Sequence, residues 1–268
     1  MSIETTRSAL AKRLISGAAL AAVATVAVAC SSTGGKPEAT GQDGVGAGQA
    51  DTPRMTVAMI THGTPGDEFW TIVQKGAEAA AAKDNVDLRY TADPDASKQA
   101  TLVQNAIDSK VDGIALTLAK PEAMAGAVAA AKTAGIPVVG FNSGVNDWQR
   151  LGVASFFGLD IKGSGVESAK ELVKTGAKHG ICVIQEQGQV ALEEMCQGAK
   201  EGFTSGTMDV LYVNGADTPS VESTLTAKLQ QDPNIDGIVT LGNGIALAAQ
   251  NSLKTTGSAA KLTSLKLT

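Results

Sequence analysis

Polar and aromatic residues follow several apolar runs of this sequence, where they could bind a ligand. His62 begins a loop that ends at Phe69-Trp70, which holds two of the chain's nine aromatic residues (five Phe, two Trp and two Tyr). Asn142-Ser143, Gln185-Glu186-Gln187 and Asn243 each come at or just after the end of another apolar run. Amides, carboxylates and hydroxyls hydrogen-bond a ligand's polar groups, and aromatic rings cover its apolar surface. These residue types favour noncovalent binding.

Sequence motifs for catalysis are missing. The sequence has no GxSxG, no P-loop and no GxGxxG between a strand and a helix, and His62 has no recognisable Ser or Cys partner. With two His and no CxxC spacing, neither a metal site nor a cofactor is expected. The sequence therefore predicts a protein that is not an enzyme. An exported α/β enzyme stays an alternative, because a fold does not fix a function.

Composition limits the class of protein. The chain has 268 residues, with 22 Lys and Arg against 27 Asp and Glu, so no basic surface is available for nucleic acid. Hydrophobic residues make up 43% of the chain but aromatic residues only 3%, a balance typical of α/β proteins with buried parallel strands. At about 150 residues per domain, this length suggests one large domain or two small ones.

The N-terminal segment has the pattern of an export signal. Arg7, Lys12 and Arg13 precede an uncharged stretch from Leu14 to Cys30 that ends in small residues. The stretch is near the minimum of about 17 residues for a membrane span, so a retained anchor is the alternative. The Gly-containing segment 30–54 that follows favours cleavage and predicts a flexible tether. We therefore expect an exported protein of the cell envelope.

Strands and helices are predicted to alternate from Met55 onward, which indicates an α/β fold with parallel sheets. The predicted strands are 56–60, 86–90, 113–117, 137–141, 151–154, 181–185, 210–213, 237–241 and 262–267. The predicted helices are 68–83, 96–109, 122–134, 162–175, 190–205, 220–231 and 245–256.

A near-repeat suggests that the body has two similar lobes, each a parallel sheet flanked by helices. Val111-Asp112-Gly113-Ile114 and Ile235-Asp236-Gly237-Ile238 share one pattern, and each follows a predicted helix and begins a predicted strand. An Asp-Gly turn before a strand would explain either copy alone. The predicted division is a signal at 1–29, a tether at 30–54, an N-terminal lobe at 55–157 and a C-terminal lobe at 158–268.

Six motifs follow one another in a specific order along the chain. They are Val57-Ala58-Met59-Ile60, Phe69-Trp70, Lys75-Gly76-Ala77, Val111-Asp112-Gly113-Ile114, Ala134-Gly135-Ile136-Pro137-Val138-Val139 and Ile235-Asp236-Gly237-Ile238. This order resembles the type I periplasmic sugar-binding proteins, which are ribose-binding-like solute receptors of ABC importers. The resemblance implies that two lobes close like a hinge on a monosaccharide or polyol, that the protein is a monomer, and that an ABC permease is its partner. A receptor for a sensor kinase or chemoreceptor is the alternative.

The resemblance also implies roles for the residues at the strand ends. Asp67 and Phe69-Trp70 match a polar group and an aromatic wall, although the rings could instead pack in the core. Asn142-Ser143 match a pair that bonds sugar hydroxyls, and Asn243 matches a ligand residue of the second lobe. An Asx turn and a helix N-cap are the respective alternatives. Glu186 is a further candidate, whereas His62 either lines the cleft or caps a loop.

The three cysteines have separate predicted roles. Cys30 ends a segment similar to a lipobox, which implies a lipidated N-terminus and a membrane anchor. Cys182 and Cys196 lie on adjacent predicted elements of an exported chain, and they form either a disulfide or two buried thiols. Met195 occupies a place where the family often has Arg. The resemblance further implies a C-terminal lobe that lacks its end, because family members continue beyond the strand at 262–267.

Overall fold

The computed structural model describes residue 50, residues 52–258 and the backbone of residues 265–267. The predicted signal, Cys30 and most of the predicted tether lie outside the described residues. Ala50 N donates a hydrogen bond of 2.7 Å to Lys83 O, and Asn85 Nδ2 donates one of 2.7 Å to Thr52 O. The folded body therefore includes residues upstream of Met55, where its start was predicted.

The described residues alternate between strands and helices, which confirms the α/β class. Asp95 caps one helix, and Pro121 begins another. The strands are β1 (Met55–Thr61), β2 (Val86–Ala92), β3 (Gly113–Thr117), β4 (Val138–Phe141), β5 (Ser155–Phe157), β6 (His179–Ile184), β7 (Thr207–Tyr212), β8 (Gly237–Thr240) and β9 (Leu265–Leu267). The helices are α1 (Glu68–Lys83), α2 (Ala96–Asp108), α3 (Pro121–Thr133), α4 (Ile161–Lys174), α5 (Val190–Gly202), α6 (Thr218–Gln231) and α7 (Asn243–Thr256).

The first sheet contains β1 to β5 in the order β2-β1-β3-β4-β5, and every neighbouring pair is parallel. Met59 in β1 lies between Tyr90 and Ala115 of its two neighbours. A core cluster joins strand residues such as Leu116 to Val103 of α2 and Met124 of α3. Because the strands are parallel, their carboxyl ends meet at one edge of the sheet.

The second sheet contains β6 to β9 in the order β7-β6-β8-β9, again with all pairs parallel. Successive residues of β6 point to opposite faces, so Cys182 packs with α4 and α5 residues while Val183 packs with α6 and α7 residues. Helices therefore cover both faces of this sheet. Parallel sheets with this arrangement bind ligands at the carboxyl ends of their strands.

Most predicted bounds shift by one to three residues, and two of the differences have a clear structural reason. The strand predicted at 151–154 is wrong, because residues 145–152 form turns and β5 begins at Ser155. Leu151 and Val153 are apolar because they pack against the first core, and Gly152 adopts a φ of 75° that breaks any extended run. The helix predicted at 190–205 ends at Gly202, since Phe203 leaves helical geometry and inserts its ring into the second core.

Candidate functional site

His62 lies at the carboxyl end of β1 and is hydrogen-bonded to the end of the neighbouring strand β3. Its ring Nδ1 is 2.8 Å from Thr117 Oγ1, and its backbone N–H donates to the same oxygen at 3.0 Å. Gln99 of α2 also donates its side-chain amide to Thr117, at 3.0 Å to both the hydroxyl and the carbonyl. His62, Gln99 and Thr117 are all buried. These hydrogen bonds join the carboxyl ends of β1 and β3 in one buried polar cluster.

The His62 imidazole is neutral at physiological pH. Burial first, and the positive charge of Lys120 second, lower its pKa from 6.5 to about 4. Desolvation penalises the charged form, so the ring prefers to stay uncharged. It therefore offers one hydrogen-bond donor and one acceptor. Its location favours the cleft-lining role over a simple loop cap.

Phe69 and Trp70, at the start of α1, lie in different environments. Asp67 caps α1 by accepting a hydrogen bond of 3.2 Å from Trp70 N. Trp70 is buried, and its ring meets the His62 ring edge-on with centroids 4.9 Å apart. Phe69 is 52% exposed, and its ring centroid is 5.0 Å from that of Trp70. Trp70 thus packs within the fold, whereas Phe69 is the ring that a ligand could contact.

Asn142 and Ser143 form a strained turn at the end of β4. Asn142 has a φ of 64°, in the left-handed region that Asn tolerates better than most residues. Its backbone N–H donates to Phe157 O at 2.9 Å, which ties the turn to β5. Ser143 is fully buried and donates its hydroxyl proton to Asn142 Oδ1 at 2.9 Å. Ser143 therefore orients Asn142, and Asn142 is the more exposed member of the pair.

Three polar groups of the second sheet lie at or near its strand ends. Glu186 follows β6, and its carboxylate lies 3.0 Å from Lys120 Nζ of the first lobe. Gln185 Nε2 donates to Leu241 O at 2.8 Å. Among the described residues, Gln185 Oε1 and Thr240 Oγ1 are buried without a hydrogen-bond partner. Buried acceptors of this kind are costly unless a partner reaches them.

Asn243 is exposed and is the first residue of α7. The helix N-cap is Gly242, with a φ of 102°, and no side chain caps this end of the helix. The alternative interpretation of Asn243 as an N-cap is therefore wrong. Its amide is available at the carboxyl edge of the second sheet.

The two sheets meet through residues that the sequence did not single out. Gln189, just before α5, reaches His62 and Ser143, and Val190 N donates to Ala119 O at 3.0 Å. Asn146 Nδ2 donates to Glu194 at 2.7 Å. Gln189 stands directly before a predicted helix, a position that predicts capping but not contact with another lobe. The other contacts of this set have no local sequence signal.

The C-terminal core holds Met195 and the two remaining cysteines. Cys182 of β6 and Cys196 of α5 form a disulfide, with Cα atoms 5.6 Å apart. Met195 is buried in the same cluster. At this position the side chain packs the sheet against α5 and gives no charged group to a ligand.

The described residues lack two other kinds of site. Within residues 52–258, no group of three or more His, Cys, Asp or Glu side chains is arranged to hold a metal ion. None of the helices in the described part of the chain is long and apolar enough to cross a bilayer.

Comparison with known proteins gives one family and several solute-binding relatives. A sequence profile described as "Periplasmic binding protein domain" matches residues 57–267. A crystal structure of a carbohydrate transporter from Acidothermus cellulolyticus, in complex with myo-inositol, is 50% identical, with a TM-score of 0.75. That match covers 76% of this chain and 71% of the other.

Two curated proteins are similar at lower identity. The ABC transporter periplasmic-binding protein YphF of Escherichia coli is 24% identical over 80% of this chain and 68% of its own length. The D-apiose import binding protein of Actinobacillus succinogenes is 27% identical over 78% of this chain and 67% of its own length.

Proposed function

The chain belongs to the periplasmic binding protein domain family, and from that premise we propose that it is an extracytoplasmic solute-binding lipoprotein. It captures an uncharged polyol or monosaccharide between its two lobes and delivers it to an ABC importer. Cys30 carries the lipid that anchors it to the membrane. Binding, not turnover, is its activity.

The observation that carries this proposal is the meeting of neutral polar groups from both sheets at their carboxyl ends. His62 and Ser143 follow strands of the first sheet, and Gln189 of the second lobe hydrogen-bonds to both. Phe69 presents an exposed ring at the same corner. A polyol needs hydroxyl partners on several sides and an apolar surface for its C–H groups. These residues supply both.

The ligand class is supported by the relatives. The structure that is 50% identical was determined with myo-inositol, and a second relative is named for D-apiose import. Both compounds are uncharged and carry several hydroxyl groups. Lys120 of the first lobe is paired with Glu186, so the pair adds no net charge to the region. We therefore rank myo-inositol first and neutral monosaccharides second.

Isothermal titration calorimetry of the purified full chain tests the proposal. The titrants are myo-inositol, then a panel of pentoses, hexoses and open-chain polyols. We expect saturable binding of at least one member with a stoichiometry of one ligand per chain. Absence of heat and of thermal stabilisation across the whole panel would contradict the proposed function.

A pair of variants on α1 tests the aromatic wall. Phe69→Ala removes the ring that is exposed beside Trp70, and we expect the Kd of the identified ligand to rise about 10-fold. Ile72→Ala is the matched control, since Ile72 is also exposed and lies one helical turn further along. Equal Kd values for the two variants would exclude Phe69 as a ligand contact.

A further inference from the structure

Gln189 lies between β6 and α5 and contacts both lobes with one side chain. Its Oε1 accepts a hydrogen bond of 2.9 Å from Leu192 N, which caps α5. Its Nε2 is 3.2 Å from His62 Nε2 and 3.3 Å from Ser143 Oγ. The side chain is only 6% exposed. A buried carboxamide whose polar atoms are all used is held in one orientation.

The donors and acceptors of this contact follow from the capping bond. Exchanging Oε1 and Nε2 of Gln189 would place the amide group against the Leu192 N–H, with a donor facing a donor. The Nε2 group therefore donates to Ser143 Oγ and faces His62 Nε2. On its other side, the His62 ring is held by Thr117 Oγ1, which lies 2.8 Å from Nδ1. One amide thus contacts the buried imidazole and Ser143 together.

The second bond of Gln189 extends to a candidate ligand residue. Ser143 Oγ accepts from Gln189 and donates its own proton to Asn142 Oδ1 at 2.9 Å. With Oδ1 engaged, Asn142 directs its Nδ2 amide elsewhere, and no partner for that group occurs among the described residues. The chain of bonds from Gln189 through Ser143 therefore sets which face of Asn142 is free to donate.

We propose that Gln189 is a positioning residue: its two cross-lobe hydrogen bonds form when the lobes meet, and they orient His62 and Asn142 for the ligand. The inference rests on the proposed binding function. Gln189 acts through His62 and Ser143, and it is not itself assigned a ligand contact. The same hydrogen bonds that form when the lobes close therefore also orient His62 and Asn142.

A substitution of Gln189 replaces no other charged or titratable side chain near His62. Lys120, before α3, and Glu186, before α5, form their ion pair at 3.0 Å. From the β2 side, the Tyr90 hydroxyl is hydrogen-bonded to Thr61 Oγ1 at 2.9 Å, next to His62. A change in the His62 pKa caused by a substitution at Gln189 therefore reports on that one contact.

Gln189→Glu is the main test. Glutamate keeps the length of the side chain and an oxygen for Leu192 N, but its carboxylate faces His62 Nε2 and Ser143 Oγ. An opposite charge favours the protonated imidazole, so we expect the pKa of His62 to rise from about 4 by at least one unit. Ring resonances in NMR titrations measure it, and the chain has only two His to assign.

Ligand affinity gives the second readout. At about pH 7, we expect Gln189→Glu to raise the Kd for myo-inositol on the order of 10-fold or more, since two buried donors are lost. Acidification that protonates His62 restores part of the affinity, because the carboxylate then has a donor to accept from. Gln189→Met removes the donors without adding charge, and we expect a similar loss that acid does not restore.

Gln197→Glu is the matched control. It makes the same change of charge at an exposed position about two turns further along α5. We expect its His62 pKa and its Kd to equal those of the wild type. Small-angle scattering of the ligand-free proteins adds a third readout, with a larger radius of gyration expected for Gln189→Glu than for Gln197→Glu.

The outcomes separate the inference from the proposed function. An unchanged His62 pKa and an unchanged Kd in Gln189→Glu overturn the positioning role. If Gln189→Glu does not fold, Gln189→Met decides, and an unaltered Kd in that variant overturns the role. If the wild type binds neither myo-inositol nor any other solute of the panel, the proposed function fails. The His62 pKa and the radius of gyration, which need no ligand, still decide on the cross-lobe contact.

Discussion

Acidification is expected to destabilise the folded chain through His62. Burial, and then the charge of Lys120, lowers the pKa of this imidazole from 6.5 to about 4. In the unfolded chain the ring regains its ordinary pKa, so between these two values the unfolded state binds more protons than the folded state. The free energy of unfolding then rises with pH in this window and falls on acidification.

The size of the effect follows from the two pKa values. At about pH 7 both states are unprotonated, and His62 contributes almost nothing. At about pH 5, protonation of His62 in the unfolded state lowers the free energy of unfolding by about 2 kcal/mol. Below the folded pKa this decrease levels off at about 3 kcal/mol. Because the side chain is buried, solvent screening reduces this figure little.

Urea unfolding of the wild type and of His62→Gln at about pH 7, 6 and 5 measures the effect. Tryptophan fluorescence follows the transition, since Trp70 lies against His62. Carboxylates that titrate in both proteins cancel in the comparison. We expect the wild type to lose about 2 kcal/mol more than His62→Gln between about pH 7 and pH 5. Equal losses in the two proteins would refute the assignment of a neutral, buried imidazole.

Two further predictions concern stability. A Cβ at Gly198 would overlap the Lys162 carbonyl oxygen where α5 crosses α4, so Gly198→Ala is expected to cost about 1–3 kcal/mol in urea unfolding. Gly126→Ala, in α3 with open space around the new Cβ, is the control and is expected to stabilise by about 0.5–1 kcal/mol; the reverse ranking would refute the close approach. Cys182 and Cys196 are 14 residues apart, so reduction is expected to cost about 3 kcal/mol. A chain whose unfolding midpoint is the same with and without reductant would contradict this.

Much of the fold is predictable from hydrophobic periodicity. Helix α1 and strand β3 have the predicted bounds, because an amphipathic repeat and a short apolar run are local signals. The strand predicted at 151–154 failed for a reason that periodicity cannot detect. Leu151 and Val153 are apolar because of the core that they cover, and tertiary packing decided their conformation.

The candidate site was less predictable than the fold. Phe69 and Trp70 are adjacent in sequence and equally apolar, yet one is exposed and the other is buried. Ser143 is of a residue type that often contacts a sugar, but it is fully buried and donates its hydroxyl proton to Asn142. Gln189 carries no local signal for its role, because its partners are 127 and 46 residues away in sequence. Contacts between lobes depend on three-dimensional placement, which a sequence pattern does not contain.

Among the residues that the structure describes, no arginine lies at the candidate site, which gives the site a specific electrostatic character. Arg54 and Arg89 pair with Asp87, and Arg150 pairs with Asp147, so these guanidinium groups are engaged elsewhere in the described chain.

At the position where the family often has Arg, Met195 packs in the core instead. Lys120 is offset by Glu186, and His62 is neutral at physiological pH. Moving a charged ligand from water into such a cleft would cost several kcal/mol without a compensating ion. A neutral polyol avoids this cost, because each hydroxyl can exchange water for an amide, an imidazole or a hydroxyl. Under the proposed function, the same neutrality allows the two lobes to close on a ligand without burying an unpaired charge.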